Sequence, residues 1–165
     1  MITPRSVSLT MPAVALRGLV VFPGSNISFD VGRSKSVLAL KTAMTDDQEL
    51  FLVTQKDIRD NDPGYDQLYK IGTIVKVNHI VRVPNSDNFR VSVEGIRRAK
   101  LMSVVLNENY LVCEVKPKGD IAVKAEDHDY CVALIRQAKD LLEGYTEYAP
   151  QLPPPHGTSQ TSRLR

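Results

Sequence analysis

The chain has 165 residues, 42% of them hydrophobic and 24% charged, with a formal net charge of +2 and two cysteines. That length suits one domain, or one domain with an appendage, and the apolar fraction supports a core, which excludes a wholly disordered chain. The charge balance gives no concentrated basic footprint for nucleic acid, and Cys113 and Cys131 alone make no disulfide framework.

Residues 1–10 read as a loose leader, with Met1 and Met11 both candidate starts. From Val14 the chain reads as short strands. Val14, Leu16, Val20 and Phe22 share one phase, and Arg17 falls on the opposite phase beside Ala13, Ala15, Leu19 and Val21. Pro23-Gly24 predicts a type II turn, since proline presets the first central φ and glycine supplies the positive φ of the second. Ile27, Phe29 and Val31 alternate with Ser28 and Asp30 as a half-buried strand that Gly32 ends. Ser34 reads as the N-cap of a helix from Lys35 to Met44, with Val37, Leu40 and Met44 on one face. Leu50 to Gln55 is a short strand of the buried type.

Residues 56–66, KDIRDNDPGYD, are acidic and turn-rich and predict a surface loop around Asp62-Pro63-Gly64. Ile71 to Val83 is the longest strand. Ile74 and Ile80 break its alternation, which predicts burial on both faces or a bulge. Pro84 to Asn88 is a hairpin loop, and Phe89, Val91 and Val93 mark the return strand. Glu94-Gly95 marks a bend. AKLMSVVL and YLVCEVK flank Asn107 to Asn109 as another hairpin, and Pro117 to Asp120 closes the β-rich part.

The period then changes. Cys131, Leu134, Ile135, Ala138, Leu141, Leu142 and Tyr145 recur at helical spacing, which predicts an amphipathic helix of about 20 residues beginning near Glu126. It follows the strands instead of alternating with them, so it is an appendage to a mainly β (α+β) domain. The expected organisation is a leader (1–10), a β domain (11–119), a helical appendage (120–150) and a disordered tail (151–165). No apolar run reaches the ~18–20 residues that span a bilayer, and the N-terminus lacks a signal-peptide pattern, so the expected setting is a reducing cytoplasm.

Chemical motifs fail in turn. VGRSKS has one glycine before its helix and cannot form a nucleotide-binding P-loop. Ser34 and Lys35 are adjacent and point apart on a helix start, so they make no Ser-Lys pair, and Ser36 is no better placed. His128 and Cys131 lie at i, i+3, but His79 and Cys113 sit in separate β segments and no four-ligand zinc set emerges. Arg97, Arg98 and Lys100 form the only basic cluster and lack the aromatic platform of a single-strand binder. The 57–66 loop lacks EF-hand ligand spacing. No residue is assigned to catalysis, to a cofactor or to a metal.

LRGLVVFPG with FDVGRSKS, then FLVTQKD, LYKIGTIVKV and VEGIRRAKL, in this order and spacing, resemble the N-terminal domain of Lon proteases over residues 11–150. The resemblance is to bacterial Lon more than to stand-alone Lon-N-like or cereblon-type domains. It implies a PUA-like β-barrel with a short helix, followed by a helical segment. It implies a domain that holds unfolded or degron-bearing polypeptides in protein quality control and helps organise a hexamer of Lon subunits. In that family an ATPase module using ATP and Mg unfolds the substrate and a Ser-Lys dyad cuts it. Neither region is present here, so the chain is expected to be no enzyme as given. Similarity stops near Pro155, which reads as a truncated or frameshifted frame first and a stand-alone module second. The alternative function is a stand-alone PUA-like module for RNA, carried by Arg97, Arg98 or Lys100. Expected polypeptide-binding faces are the Ile71–Val93 hairpin and a groove beside the 126–145 helix, with contact residues unassigned. Arg17 either pairs with an acidic group or sits on the binding surface.

Overall fold

The computed structural model describes residues 8–105, 107, 109–119 and 121–148. The elements in chain order are β1 (Leu9–Leu16), β2 (Asn26–Val31), α1 (Ser34–Thr45), β3 (Glu49–Thr54), β4 (Ile71–Arg82), β5 (Phe89–Val105), β6 (Val112–Pro117) and α2 (His128–Tyr148). Single 3-10 turns stand at Tyr65–Gln67 and Ala125–Asp127. Contacts divide the chain into two units, Met1–Gly119 and Asp120–Arg165. The tail expected to be disordered, 151–165, lies outside the described residues.

The first unit is a mainly β body. Its sheet runs β2-β5-β4-β3-β1-β6, and β6 returns to pair with β5, so that β5, β4, β3, β1 and β6 close into a barrel. Closure depends on the 17-residue β5. Its first part, Phe89–Glu94, pairs with β2, and its last part, Ala99–Val105, pairs with β6. Neighbours are antiparallel except β1 and β3, which run parallel from Ala13↔Phe51 to Leu16↔Thr54. The ladder skips Asn78 on β4 and Ile96 and Met102 on β5. Such bulges bend and twist a strand, which lets one long strand serve two partners around a curve. The broken alternation near Ile80 is the Asn78 bulge.

Two apolar clusters explain the near-continuous hydrophobic runs. Met11, Ala13, Ala15, Phe51, Val53, Ile74, Leu101, Cys113 and Val115 come from all five barrel strands and fill the interior. Val14, Leu16, Leu50, Leu52, Val75 and Val77 point the other way, onto Ala39, Leu40 and Ala43 of α1 and onto Val31, Val91 and Val93. Strands β1, β3 and β4 are therefore buried on both faces, the condition under which alternation disappears from sequence.

Several local expectations need correction. Leu9 and Thr10, read as leader, begin β1 and pair with Val115 and Glu114. Ser34 is the first helical residue of α1 and its side chain caps nothing. Arg33 is the N-cap, with φ −71° and ψ 130° and no side-chain cap bond. Its carbonyl accepts the Val37 N–H at 2.9 Å. The buried face of α1 is Ser36, Ala39, Leu40 and Ala43; of the expected Val37, Leu40 and Met44, Leu40 is buried and Val37 packs against the core, while Met44 is exposed. Small residues on that face let the helix lie close to β1 and β3.

Glu94-Gly95, read as a bend, lies within the continuous β5, next to the bulge at Ile96. The Val14–Phe22 strand ends early, at Leu16. Gly18 takes a positive φ of 64° and breaks the phase. Thr54 Oγ1 then donates to the Leu19 carbonyl and Thr73 Oγ1 to the Val21 carbonyl, both at 2.6 Å. These bonds hold Leu19 and Val21 inward, so Val20 and Phe22 face solvent instead of sharing the burial of Val14 and Leu16.

The second unit contains the 21-residue α2, which carries its apolar residues at helical spacing. Leu134, Ile135, Leu141, Leu142 and Tyr145 are all exposed. Among the described residues no helix is long and apolar enough to cross a membrane.

Candidate functional site

The residues tested for chemistry in the sequence stay apart in the structure. Lys35 Nζ is held 2.6 Å from Asp62 Oδ2, and Ser36 is buried under α1. His79 lies on β4 and Cys113 inside the barrel, while His128 and Cys131 belong to α2. Among the described residues no three His, Cys, Asp or Glu side chains converge as metal ligands. Burial pushes the Cys113 thiol up to about 12, far from thiolate chemistry.

Arg97, Arg98 and Lys100 are exposed on β5. Arg97 lies 3.9 Å from Glu49, and the register sets Arg98 opposite Thr73 and Lys100 opposite Ile71. On the β4–β5 hairpin Ile74, Val75, Val77, Val91 and Val93 are fully buried, while Ile71, Val81, Ile96, Met102 and Val105 are exposed but spread along its length.

The features that converge lie around the connector from Leu16 to Phe22. On one side is a shallow depression of about 70 Å³, lined by Leu16, Val20, Phe22, Ile71, Thr73 and Arg98. Val20, Phe22 and Ile71 are 56%, 59% and 46% exposed there, unusually open for large apolar side chains brought together. On the other side is a cleft of about 370 Å³ between β1 and β2. Its apolar wall is Val14, Leu16, Leu19, Phe29 and Val31, and its polar end carries Arg17, Arg33 and Ser36.

Both arginines are fixed by neutral acceptors. Arg17 Nη2 donates to the Asp60 carbonyl at 3.1 Å and to Asn61 Oδ1 at 2.8 Å. Arg33 donates from Nη1 to Gln55 Oε1 at 3.1 Å and to the Asn61 carbonyl at 3.4 Å, and from Nη2 to the Ala15 carbonyl. The ion pairs of the described residues, Lys35–Asp62 and Arg90–Asp30 among them, leave both guanidiniums out. Burial, then the nearby Arg17 charge, lowers the Arg33 pKa from its usual value, opposed by Asp62 and Asp60. The guanidinium remains charged all the same. Of the two roles expected for Arg17, pairing with an acid is not what the structure shows: its partners are a carbonyl and an amide.

Sequence reading missed Arg33 as a site residue. Only its position after Gly32, at the end of an alternating strand, marked it, and that position also suits an ordinary helix start. Nothing in the local sequence places it beside Arg17.

The comparisons with known proteins are consistent in one respect. A family described as "ATP-dependent protease La (LON) substrate-binding domain" matches residues 10–162. Lon protease of Brevibacillus choshinensis is 36% identical over 155 residues, 94% of this chain and 19% of its own length. Lon protease 1 of Bacillus subtilis is 35% identical over 144 residues, 87% of this chain and 18% of its own length. The chain thus spans less than a fifth of these curated relatives. Among solved structures, the N-terminal domain of Mycobacterium avium complex Lon protease aligns with a TM-score of 0.69 at 18% identity, over 87% of this chain and 70% of that one. A Lon N-terminal domain protein from Xanthomonas campestris aligns with a TM-score of 0.55 at 18% identity, over 78% of this chain and 72% of that one. At that identity the two structures share the fold.

Proposed function

The chain belongs to the LON substrate-binding domain family, and from that premise we propose that it holds unfolded polypeptides on the surface around Leu16–Phe22, as the recognition part of a Lon-type ATP-dependent protease. The observation that carries this reading is the exposed apolar rim of Val20, Phe22 and Ile71 beside the β1–β2 cleft. Large apolar side chains grouped in the open cost solubility and are kept where they contact a partner. Unfolded chains present apolar side chains and unpaired backbone, and a rim next to an open strand edge receives both with little sequence specificity.

By this reading the chain contributes recognition, and neither ATP hydrolysis nor peptide cleavage. Free Cys113 and Cys131 suit a reducing cytoplasm. Assembly with further Lon subunits is the second expected role, and the exposed apolar stripe of α2 supports it.

The test is a titration of the purified chain with one fluorescent protein in two forms, native and reduced-carboxymethylated. Binding of the unfolded form alone, changing little between 50 and 300 mM salt, is the expected result. Equal affinity for both forms, or no binding of the unfolded form, contradicts the reading. The RNA alternative makes the opposite demand, a steep loss of RNA binding with salt that depends on Arg97, Arg98 and Lys100.

A further inference from the structure

We infer that the β1–β2 cleft captures the free carboxyl terminus of a polypeptide, with the α-carboxylate between Arg17 and Arg33 and the last apolar side chain against Leu19, Phe29 and Val31. This rests on the polypeptide-recognition reading and names the part of the substrate that the cleft takes.

Three observations converge on that occupant. First, the cleft lies between backbone edges. β2 pairs with β5, and among the described residues no strand covers its other edge. Across the cleft, β1 pairs with β3 along Ala13–Leu16, and on its far side Ala13 donates to the Leu111 carbonyl while the Ala15 carbonyl takes Arg33. An extended peptide entering here finds unpaired backbone on β2.

Second, the end of the cleft carries two guanidinium groups with no carboxylate in direct contact; Asp60 and Asp62 act on Arg33 only through space, opposing the effects of burial and of Arg17. Arg17 and Arg33 are held by neutral acceptors, so their orientation is fixed without their charge being neutralised. Asp30, the one carboxylate on the cleft wall, is occupied by Arg90 through bonds of 2.8 and 3.0 Å. Asp62 in the neighbouring loop is occupied by Lys35. Two preset guanidinium groups beside an apolar wall match a carboxylate next to an apolar side chain.

Third, the cleft narrows at Arg33. Beyond it the space falls from about 370 to about 30 Å³, in a depression lined by Ala13, Ala15, Lys35, Asp62 and Leu111. A chain that placed an internal Asp or Glu at the arginines would have to thread that narrower space past Asp62 or turn back out to solvent. A chain that ends there would do neither. The terminus is therefore the source that fits.

The experiment uses the full 165-residue chain and three fluorescein-labelled decapeptides of Gly and Ser. One ends in Ser-Leu with a free carboxylate, the second has the same end amidated, and the third is amidated with Glu before the final Leu. Anisotropy titrations are expected to give at least about tenfold weaker binding for both amidated peptides, since a charge-assisted contact is lost. Arg17→Gln, an exposed position, is expected to keep the circular dichroism spectrum and to remove the difference between free and amidated ends. Equal affinity for the free and amidated peptides overturns the proposal, and so does full recovery of affinity with the internal Glu. A long unfolded polypeptide with an amidated end separates the two levels. If it binds while the free carboxylate adds nothing, terminus capture fails and general recognition stands; if it also fails to bind, both fail.

Discussion

Gly24 donates its amide N–H to the Gly95 carbonyl at 2.7 Å, which docks the Pro-Gly turn flat against the middle of the longest strand. Gly95 in turn donates to the Ser25 carbonyl at 2.9 Å. Between these bonds a Cβ on Gly95 would lie 2.1 Å from the Phe22 carbonyl oxygen. The glycine is there for close approach of two backbones, and the turn it receives is the one that presents Phe22 to solvent.

Gly95→Ala is therefore expected to destabilise the chain by about 1–3 kcal/mol, because backbone has to move to admit the methyl group. Gly24→Ala meets no atom within 4 Å and suffers only from its φ of 76°, so about 1 kcal/mol is expected. Urea unfolding of the two variants checks the order. A milder effect at Gly95 than at Gly24 would mean that the turn docks less tightly than these distances state.

Thr73→Val tests the anchor of the connector. The buried Thr73 hydroxyl donates to the Val21 carbonyl at 2.6 Å. Valine keeps the shape and leaves that carbonyl without its donor, a loss of about 1–3 kcal/mol. The amides of Val20 to Phe22 are expected to exchange faster with deuterium in this variant, while those of β6 stay as they were.

Acid stability follows from two carboxylates. The side-chain hydrogen bond from Arg90 holds the Asp30 pKa below its usual value, and that from Arg59 does the same for Asp57. A carboxyl whose folded pKa is depressed stabilises the fold above its unfolded value, and that stability fades as pH falls through the folded value. The expected window therefore begins near about pH 4 and extends downward. Asp30→Asn should shrink the difference in urea midpoint between pH 6 and pH 3, leaving the pH 6–8 range flat.

The two thiols are expected to separate kinetically. Cys113 is buried in the barrel with its thiol pushed up to about 12, whereas Cys131 on α2 is half-buried. In native buffer at pH 8 a thiol-reactive dye should label Cys131 readily and Cys113 only as the barrel opens. Both should react at once in denaturant. Prompt native labelling of Cys113 would contradict the closed barrel.

What the sequence displays and what it hides divide along physical lines. The β4–β5 hairpin is legible because Pro84–Asn88 is turn chemistry and Val91 and Val93 alternate. The Pro-Gly turn is legible because Gly24 has to supply a positive φ, as it does. The outward turn of Val20 and Phe22 is hidden, since their phase matches Val14 and Leu16 and only Gly18 and two distant threonines reverse it. Arg33 replaces Ser34 as helix cap for a backbone reason that composition does not express. The cleft is hidden more deeply, because the Arg17–Asp60 contact spans 43 residues of sequence. A site assembled from two strands and a loop has no local signature.

The most direct test of the account is to follow the backbone amides of the chain by NMR while adding an unfolded, reduced-carboxymethylated polypeptide. Shift changes grouped at Leu16–Phe22, at Phe29–Arg33 and near Ile71, saturating with added polypeptide, are the predicted result. Changes confined to Arg97–Lys100, or none at the highest concentration reached, would contradict it.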